Sequence, residues 1–344
     1  MEGRLARHTI RDVALLAGVS KATASRVLNG SKQVDGDTRR RVLDAMAELD
    51  YTPTSAARRL SFGRTLTISV VTSYLTRPQA AERLRGIEAV LSDSEFDLVI
   101  HNVETVERRD QYLRGLALAQ RTDGLLVVSL PPLDEDVRRL SSAAIPVVVI
   151  DAHSPAVAGL AHISGDDVAG GEAATRHLLD LGHRRIAFVG DEFDNPFGFT
   201  SSRHRYMGFE RALATASVEL RADDVALGAH SRYEARELAA RLLSAPNRPS
   251  AIFAASDTQA LGVLSAAHEA GLRVPDDVSI VGYDDIEIAD YIGLTTVRQH
   301  LFESGRLGAE LLLTEIRTRS ASPPSIVLAP EVVVRGTTAP PKEG

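Results

Sequence analysis

Apolar residues recur along this chain with two different periods, and the change from one to the other falls near residue 65. Before it the spacing is helical. Ile10, Val13, Ala14 and Ala17 stand at i, i+3, i+4 and i+7, one face of a helix, with Thr9 as cap and Asp12 three residues on. Gly18 ends that helix, Val19 packs into the angle that follows, and Ser20 caps a second helix from Lys21 to about Leu28 with Ala24, Val27 and Leu28 inward. A third helix, capped by Asp35, carries Val42, Ala45, Met46 and Leu49 and closes a three-helix core. After residue 65, short runs of Val, Ile and Leu alternate with helical segments. Strands are predicted at 67–72, 97–101, 124–130, 146–151, 185–190, 251–255 and 279–282. Helices are predicted near 80–93, 106–121, 134–143, 168–181, 203–216, 231–244, 257–270 and 300–318. Buried strands between helices indicate parallel sheets covered on both faces, and about 270 residues of this alternation exceed one core, so two α/β subdomains with a cleft between them are expected.

The first two helices leave Lys21, Ala22, Thr23, Ser25, Arg26 and Asn29 facing outward. Two helices across a tight turn, the second presenting short polar groups and two cations, form a helix-turn-helix suited to the major groove. The same pattern describes an ordinary helical hairpin, so the residues that follow decide. Pro53 can open a further short helix, Arg58 and Arg59 are placed for phosphates, and Leu60 ends a segment too short and basic to build a core. Such an apolar residue can wedge between base steps from the minor groove.

The order TIRDVALLAGVS, then SRVLNG, then Tyr51-x-Pro53, then AARRL resembles the LacI/GalR (lactose-repressor) family, and the resemblance continues through essentially the whole chain. It implies that Lys21, Ala22 and Arg26 meet base edges, that Thr9, Ser20, Thr23, Ser25, Asn29 and Thr38 contact phosphate or sugar, and that Leu60 is the wedge. It also implies a helix-turn-helix head over 1–53, a hinge helix and linker over 54–66, and a periplasmic-binding-protein-like core over 67–340. In that core the N-subdomain takes about 67–167 and 298–325, and the C-subdomain about 168–297 and 326–340. Two departures stand in the head: Ala24 where a valine is usual, which thins the core, and Thr54 where the family often has Asn.

Composition changes this picture in one respect. The formal net charge of -7 argues against nucleic acid until it is divided along the chain. Residues 1–64 carry 12 Lys+Arg and 7 Asp+Glu, a net +5, which leaves -12 on the remainder. A basic head on an acidic body puts the counterion-releasing surface on the head. There is no cysteine, so disulfides, thiolate catalysis and Cys-ligated metals are excluded. The N-terminus has no apolar signal region and no run approaches a membrane span, so a cytoplasmic protein with no membrane partner is expected rather than an exported solute-binding protein.

In α/β folds ligands bind beyond the C-terminal ends of the strands, which makes Tyr74, Ser129, Asp151, Asp191, Ser256, Asp257 and Asp284 candidates. The phrases LxxLGHRRIA, Arg205-x-x-Gly208-Phe209, Val281-Gly282-Tyr283-Asp284-Asp285 and LTTV continue the family likeness and select Arg205 and Asp284 as effector contacts. A guanidinium and a carboxylate facing one cleft hold neighbouring sugar hydroxyls by charge-assisted hydrogen bonds. Where the family often has NPFF after the first strand, this chain has Thr76-Arg77-Pro78-Gln79-Ala80. Ring stacking then falls to Tyr74, Phe197 or Phe199, and Arg77 opens the alternative of an anionic effector.

Adjacent acids at 166/167, 223/224, 276/277 and 284/285 invite an enzymatic reading, but such pairs are usually caps and turns. No P-loop, GxSxG, HExxH or i, i+4 histidine pair is present, so neither catalysis nor a cofactor or metal is expected. The expectation is a repressor that reads a palindromic operator in double-stranded DNA as a homodimer and is switched by a small molecule, a sugar first. A nucleobase, nucleotide or sugar phosphate, or a protein corepressor, stands as the alternative. The C-terminal segment has no apolar heptads, which favours a dimer over a tetramer built on a helical bundle.

Overall fold

The computed structural model describes residues 8–28, 33–51, 64–118, 122–143, 145–153, 155–320 and 322–342. They form two compact units, a head and a body.

The head contains α1 (Ile10–Leu16), α2 (Lys21–Leu28) and α3 (Gly36–Glu48). Asp12 accepts from the Thr9 backbone N–H at 2.7 Å and from its hydroxyl at 2.9 Å, which fixes the first turn of α1. Gly18, at φ 64°, lets the chain leave α1. The Val19 N–H reaches back to the Ala14 carbonyl and the Gly18 N–H to Leu15, a paired closure that only a left-handed residue completes without strain. Ser20 Oγ accepts from Thr23 N at 3.0 Å, and Asp35 Oδ1 from Thr38 N at 2.9 Å, capping α2 and α3. Val13, Ala14, Ala17, Ala24, Val27, Val42 and Ala45 are buried together, rimmed by Ile10, Val19, Val34, Met46, Leu49 and Tyr51. Small residues let three short helices approach closely, and Ala24 is fully enclosed among them.

The body is built on three sheets. β1 (Thr67–Ser73), β2 (Asp97–Val103), β3 (Gly124–Val128), β4 (Val147–Ile150), β5 (Ala161–Gly165) and β11 (Ser325–Leu328) form a six-stranded sheet in the order β11-β5-β4-β3-β1-β2. β6 (Ile186–Asp191), β7 (Val225–Gly228), β8 (Ala251–Ala254) and β9 (Ser279–Val281) form a four-stranded one in the order β7-β6-β8-β9. The registers are parallel, with Val70 opposite Leu126 in the first sheet and Phe188 opposite Phe253 in the second. β10 (Thr296–Arg298) and β12 (Glu331–Val333) pair antiparallel as a ribbon. The chain therefore passes between the two large sheets after β5, at the ribbon before β11, and again at β12.

The helices of the body are α4 (Pro78–Leu91), α5 (Val106–Leu118), α6 (Asp134–Ser141), α7 (Asp167–Asp180), α8 (Ser201–Thr215), α9 (Arg232–Leu243), α10 (Asp257–Glu269), the short α11 (Glu287–Tyr291) and α12 (Leu301–Thr318). α4 and α12 cover one face of the six-stranded sheet, with Ile87, Leu312 and Leu313 against Ile68, Val70 and Ile150. α7 and α8 cover the four-stranded sheet through Leu178, Phe209 and Leu213 against Phe188 and Phe253. α7 and α8 touch backbone to backbone: a methyl group on Gly171 would strike the Arg205 carbonyl, and one on Gly208 the Val168 carbonyl.

Seven strands are predicted from the sequence and twelve are present among the described residues. The five additional ones, β5, β7, β10, β11 and β12, are three to five residues long: β7 and β11 are sheet edges, β5 lies next to the edge strand β11, and β10 and β12 form the ribbon. Half-buried or exposed positions interrupt each of them, and the continuous apolar run that marks a buried strand is missing. Asn29, Arg58, Leu60 and residues 54–63 of the expected hinge lie outside the described residues. Among the described residues no helix is long and apolar enough to cross a membrane.

Candidate functional site

In the head, Lys21, Ala22 and Arg26 stand exposed on one side of α2, while Ala24 and Val27 occupy the opposite, buried side. Thr23 and Ser25 are half-buried between them. Thr9 and Ser20 carry the caps of α1 and α2, the Thr38 N–H donates to the Asp35 cap of α3, and the Thr38 hydroxyl accepts from Arg41 at 3.2 Å. The described DNA-facing candidates thus divide into exposed groups on α2 and groups at helix N-termini, where backbone N–H groups favour phosphate.

In the body the strand ends converge on a cavity of about 290 Å³ lined by Tyr74, Ser129, Asp151, Asp191, Arg205 and Asp284, among others. Four of these residues leave their strands in left-handed backbone conformations: φ is 45° at Tyr74, 48° at Ser129, 55° at Asp151 and 123° at Asp284. A residue other than glycine held so costs roughly 1–3 kcal/mol, and such positions cluster at ligand sites. Each turn swings its side chain across the end of the sheet and into the cavity.

The charged groups are already engaged. Arg205 donates from Nε to Asp167 Oδ1 at 2.8 Å and from Nη1 to the Ala255 carbonyl at 2.6 Å, and its Nη1 lies 3.5 Å from Asp284 Oδ1. Its guanidinium also lies 3.8 Å above the Tyr283 ring centroid. Asp284 accepts from the side-chain amides of Gln79 and Gln299. On the opposite wall Arg83, buried in α4, holds Asp151 at 2.6 Å and Gln299 at 2.9 Å, and Ser129 donates to Asp151 at 3.0 Å. Asp191 takes Gln259 Nε2 at 2.9 Å and His230 Nδ1 at 3.0 Å.

Burial acts to raise the pKa of both Asp167 and Asp284, and the neighbours decide the outcome. For Asp167 the Arg205 guanidinium and His153 outweigh burial and hold the carboxyl well below its ordinary value. For Asp284 burial prevails, and Arg205 and the amide of Gln79 offset only part of it. Arg205 would lose its proton more easily on account of burial alone, but Asp167 and Asp284 push its pKa up.

Two sequence candidates do not reach the cavity. Ser256 caps α10, accepting from Gln259 N at 3.2 Å, so its hydroxyl is used by the helix. Asp257 is fully buried behind the wall, where it accepts from Ile286 N at 2.9 Å and Thr296 Oγ1 at 2.5 Å, tying the start of α10 to the start of α11 and to β10. The paired acids also resolve into structural roles. Asp166 caps α7, Asp224 meets Arg185 at 2.9 Å, Asp277 meets Arg273 at 3.0 Å, and Asp285 meets Arg298 and Arg335, each at 2.7 Å.

The sequence did not single out Arg83, Asp167, His153, Gln79, Gln299 or His230. Arg83 has the signature of a solvated helical arginine, and the two glutamines carry no motif. Asp167 was legible only as the second half of an acid pair whose first half is the cap.

The aromatic wall comes from two elements. Tyr74 follows β1, while Phe197 and Phe199 lie in the loop after β6. The two phenylalanine rings are 5.2 Å apart and near parallel at 17°, and Tyr74 meets Phe197 edge-on at 5.8 Å. Although it leaves the four-stranded sheet, this loop buries Phe197 among Val71, Leu130 and Val137 of the other half. Arg77 lies over the Tyr74 ring, 3.9 Å from its centroid.

Comparison with known proteins agrees with both units. Residues 9–54 match the model of bacterial regulatory proteins of the lacI family, and residues 175–338 that of a periplasmic binding protein-like domain. The chain is 34% identical over 334 residues to the HTH-type transcriptional repressor PurR of Vibrio vulnificus strain CMCP6, covering 96% of this chain and 98% of that one. It superposes on the lac repressor dimer bound to operator and the anti-inducer ONPF with a TM-score of 0.85 at 30% identity, covering 97% of this chain and all of that one. The transcriptional regulator CelR in complex with cellobiose gives a TM-score of 0.70 at 32% identity, covering 96% of this chain and 100% of that one. The helix-turn-helix head, the strand-end cavity and these full-length likenesses meet in one conclusion: the chain belongs to the LacI family and is an effector-switched, DNA-binding transcriptional regulator.

Proposed function

We propose that this regulator is a repressor that reads a palindromic operator as a homodimer and is switched by a neutral sugar held in the strand-end cavity. Lys21, Ala22 and Arg26 meet base edges; Thr9, Ser20, Thr23, Ser25 and Thr38 fix the head on the backbone, with Asn29 and Arg58 beside them and Leu60 as the minor-groove wedge. A two-fold pair of such heads reads two half-sites about one helical turn apart.

The observation that carries the effector reading is the combination of Arg205, Asp284, Asp151 and Ser129 facing the same cavity as Tyr74 and Phe199. The carboxylates accept and the guanidinium donates, so neighbouring hydroxyls of a ring find both partners, and the flat aromatic wall meets its C–H face. An incoming hydroxyl takes the place on Asp284 that the Gln79 amide now holds. The cavity is lined by Arg77, Arg83, Arg203 and Arg205 against Asp151, Asp191, Glu192, Asp194 and Asp284, so it has no net positive charge to favour a phosphorylated ligand. Arg77, moreover, is stacked on Tyr74 rather than free. The sugar switches the protein only by binding one arrangement of the two halves more tightly than the other.

A nucleobase effector is the second reading. It is favoured by the near-parallel Phe197 and Phe199 rings and by the full-length likeness to a repressor named PurR. Calorimetric titration of the full chain with neutral mono- and disaccharides, sugar phosphates and purine bases decides between them. Saturable heat with a neutral sugar is expected. Binding confined to purines transfers the role to the second reading, and tighter binding of a sugar phosphate than of its free sugar contradicts the charge argument.

A further inference from the structure

Beside the cavity, His153, Asp167 and His204 bring two imidazoles and a carboxylate together, with one donor atom of each lying within 4.8 Å of the others. The two oxygens of Asp167 differ in what they touch. Oδ1 accepts from Arg205, whereas Oδ2 is buried with no hydrogen-bond partner. Oδ2 forms an ion pair with His153 Nε2 at 3.1 Å, and among the described residues that nitrogen has no well-aligned hydrogen bond either. The His153 and His204 rings stand edge to face, with centroids 5.1 Å apart at 83°. A buried carboxylate oxygen and a ring nitrogen aimed at each other without a shared proton are an uncommon arrangement, because each leaves a polar atom unmet.

We propose that His153, Asp167 and His204 form a binding site for a first-row divalent transition ion of the zinc class. Two neutral imidazole nitrogens and one carboxylate are an ordinary donor set for such an ion, with a water or a ligand hydroxyl as fourth partner. Donor-to-metal distances near 2.0–2.1 Å separate tetrahedral donors by roughly 3.3 Å, which the His153 and Asp167 atoms already match to within a few tenths of an ångström. No separation in the cluster exceeds 4.8 Å, so none needs to shorten by more than about 1.5 Å.

The three donors differ in how firmly they are held. Asp167 opens α7 and His204 lies in the first turn of α8, two helices locked by the contacts of Gly171 and Gly208. His153 comes from the loop after β4, in the other sheet. The ion therefore joins the two halves of the body. It is bound best when the loop after β4 draws toward α8, and it biases the same motion that an effector biases, from a position outside the set of groups offered to the effector, apart from His153.

The test uses full-length protein freed of any histidine tag and stripped with chelator, then dialysed against micromolar Zn²⁺. One zinc per chain by elemental analysis is expected, together with the intense visible absorption of a tetrahedral complex when Co²⁺ replaces it. His204→Ala, and separately His204→Gln, weakens retention by more than about 100-fold, beyond the 10–100-fold typical of losing an outer-sphere partner. His230→Ala, whose histidine bonds Asp191 elsewhere in the cavity, leaves retention unchanged. The proposal is overturned by no retained zinc, or by zinc and cobalt signals that persist in the His204 variants. If His204→Ala proves unfolded by circular dichroism, His204→Gln and the cobalt spectrum of the parent still decide. Because metal retention is read without DNA or sugar, failure here leaves the sugar reading intact, and failure of the sugar titration leaves this site intact.

Discussion

In the head, the side chains expected to meet DNA stand in solvent above a core of small residues, whereas in the cavity those expected to meet a ligand are buried and already hold one another. Lys21 and Arg26 are exposed on α2, and the fold beneath depends on Val13, Ala24, Val27 and Val42. Arg205, by contrast, is 7% exposed and Asp284 2%, and the pair with Asp167 links α7, α8 and the loop after β9. The exposed base-edge candidates of α2 are separate from the residues that stabilise the head, whereas in the cavity the same residues carry recognition and stability. Substitution separates the two functions in the head and damages both at once in the cavity.

The largest effect follows from that overlap. Arg205→Ala leaves the buried Asp167 and Asp284 carboxylates without their cation, and removing one partner of a buried pair typically costs about 3–5 kcal/mol. Urea denaturation of the body should register a loss of that size together with loss of effector binding. Stability unchanged from the parent would mean that the pair serves the ligand alone. In the head, Val42→Ala empties part of a core that has little to spare. A cost of about 1–3 kcal/mol is expected, read as earlier melting of the head by hydrogen exchange while protection in the body stays constant.

Arg26→Ala sharpens the contrast from the other side. Its effect on stability should stay within about 0.5 kcal/mol, while operator affinity falls by about 1–3 kcal/mol in fluorescence anisotropy. Comparable losses in both would place Arg26 in the fold rather than on the DNA.

The smallest effect concerns pH. Burial, and then the Asp284 charge, push the Asp257 carboxyl well above its ordinary value of 3.8. The folded state then holds a proton that the unfolded chain releases, so this group lowers stability as pH rises above 3.8 toward its folded value. Asp167 acts in the opposite sense. Its lowered pKa contributes stability above 3.8 that is lost as pH falls below it. Asp257→Asn, which keeps an oxygen for the Ile286 N–H, should flatten the decline above pH 4 and leave neutral-pH stability equal or higher. A steeper decline in the variant would contradict the assignment.

The head was legible because its signals are local. Caps, a left-handed glycine and a helical apolar period all lie within a few residues of what they determine, and Thr9, Gly18, Ser20 and Asp35 each hold the position their sequence context indicates. The central strands were legible for the same reason, since a fully buried parallel strand writes itself as an apolar run. Tyr74, Ser129, Asp151 and Asp284 were legible as cavity-lining positions because they follow strand ends, one residue on for the first three and three residues on for Asp284. Arg83, Gln299 and Gln79 could not, because what makes them matter is a partner 68 to 216 positions away or a wall formed by another element. Ser256 and Asp257 occupy strand-end positions as well, yet the helix that starts there claims the first and the loops behind it the second. Position at a strand end selects candidates, and the local demand for caps and ties removes some of them.

The most direct test of the account is the operator affinity of the full chain, measured with and without the sugar that gives calorimetric binding, for the parent and for Arg205→Lys. Lysine keeps the charge but not the forked geometry that spans Asp167, Asp284 and the Ala255 carbonyl. The sugar should shift parental operator affinity by roughly tenfold or more, in either direction. Arg205→Lys should bind operator within roughly threefold of the parent and show no shift. A parental affinity indifferent to every sugar that binds, or a full shift retained in Arg205→Lys, would contradict the account.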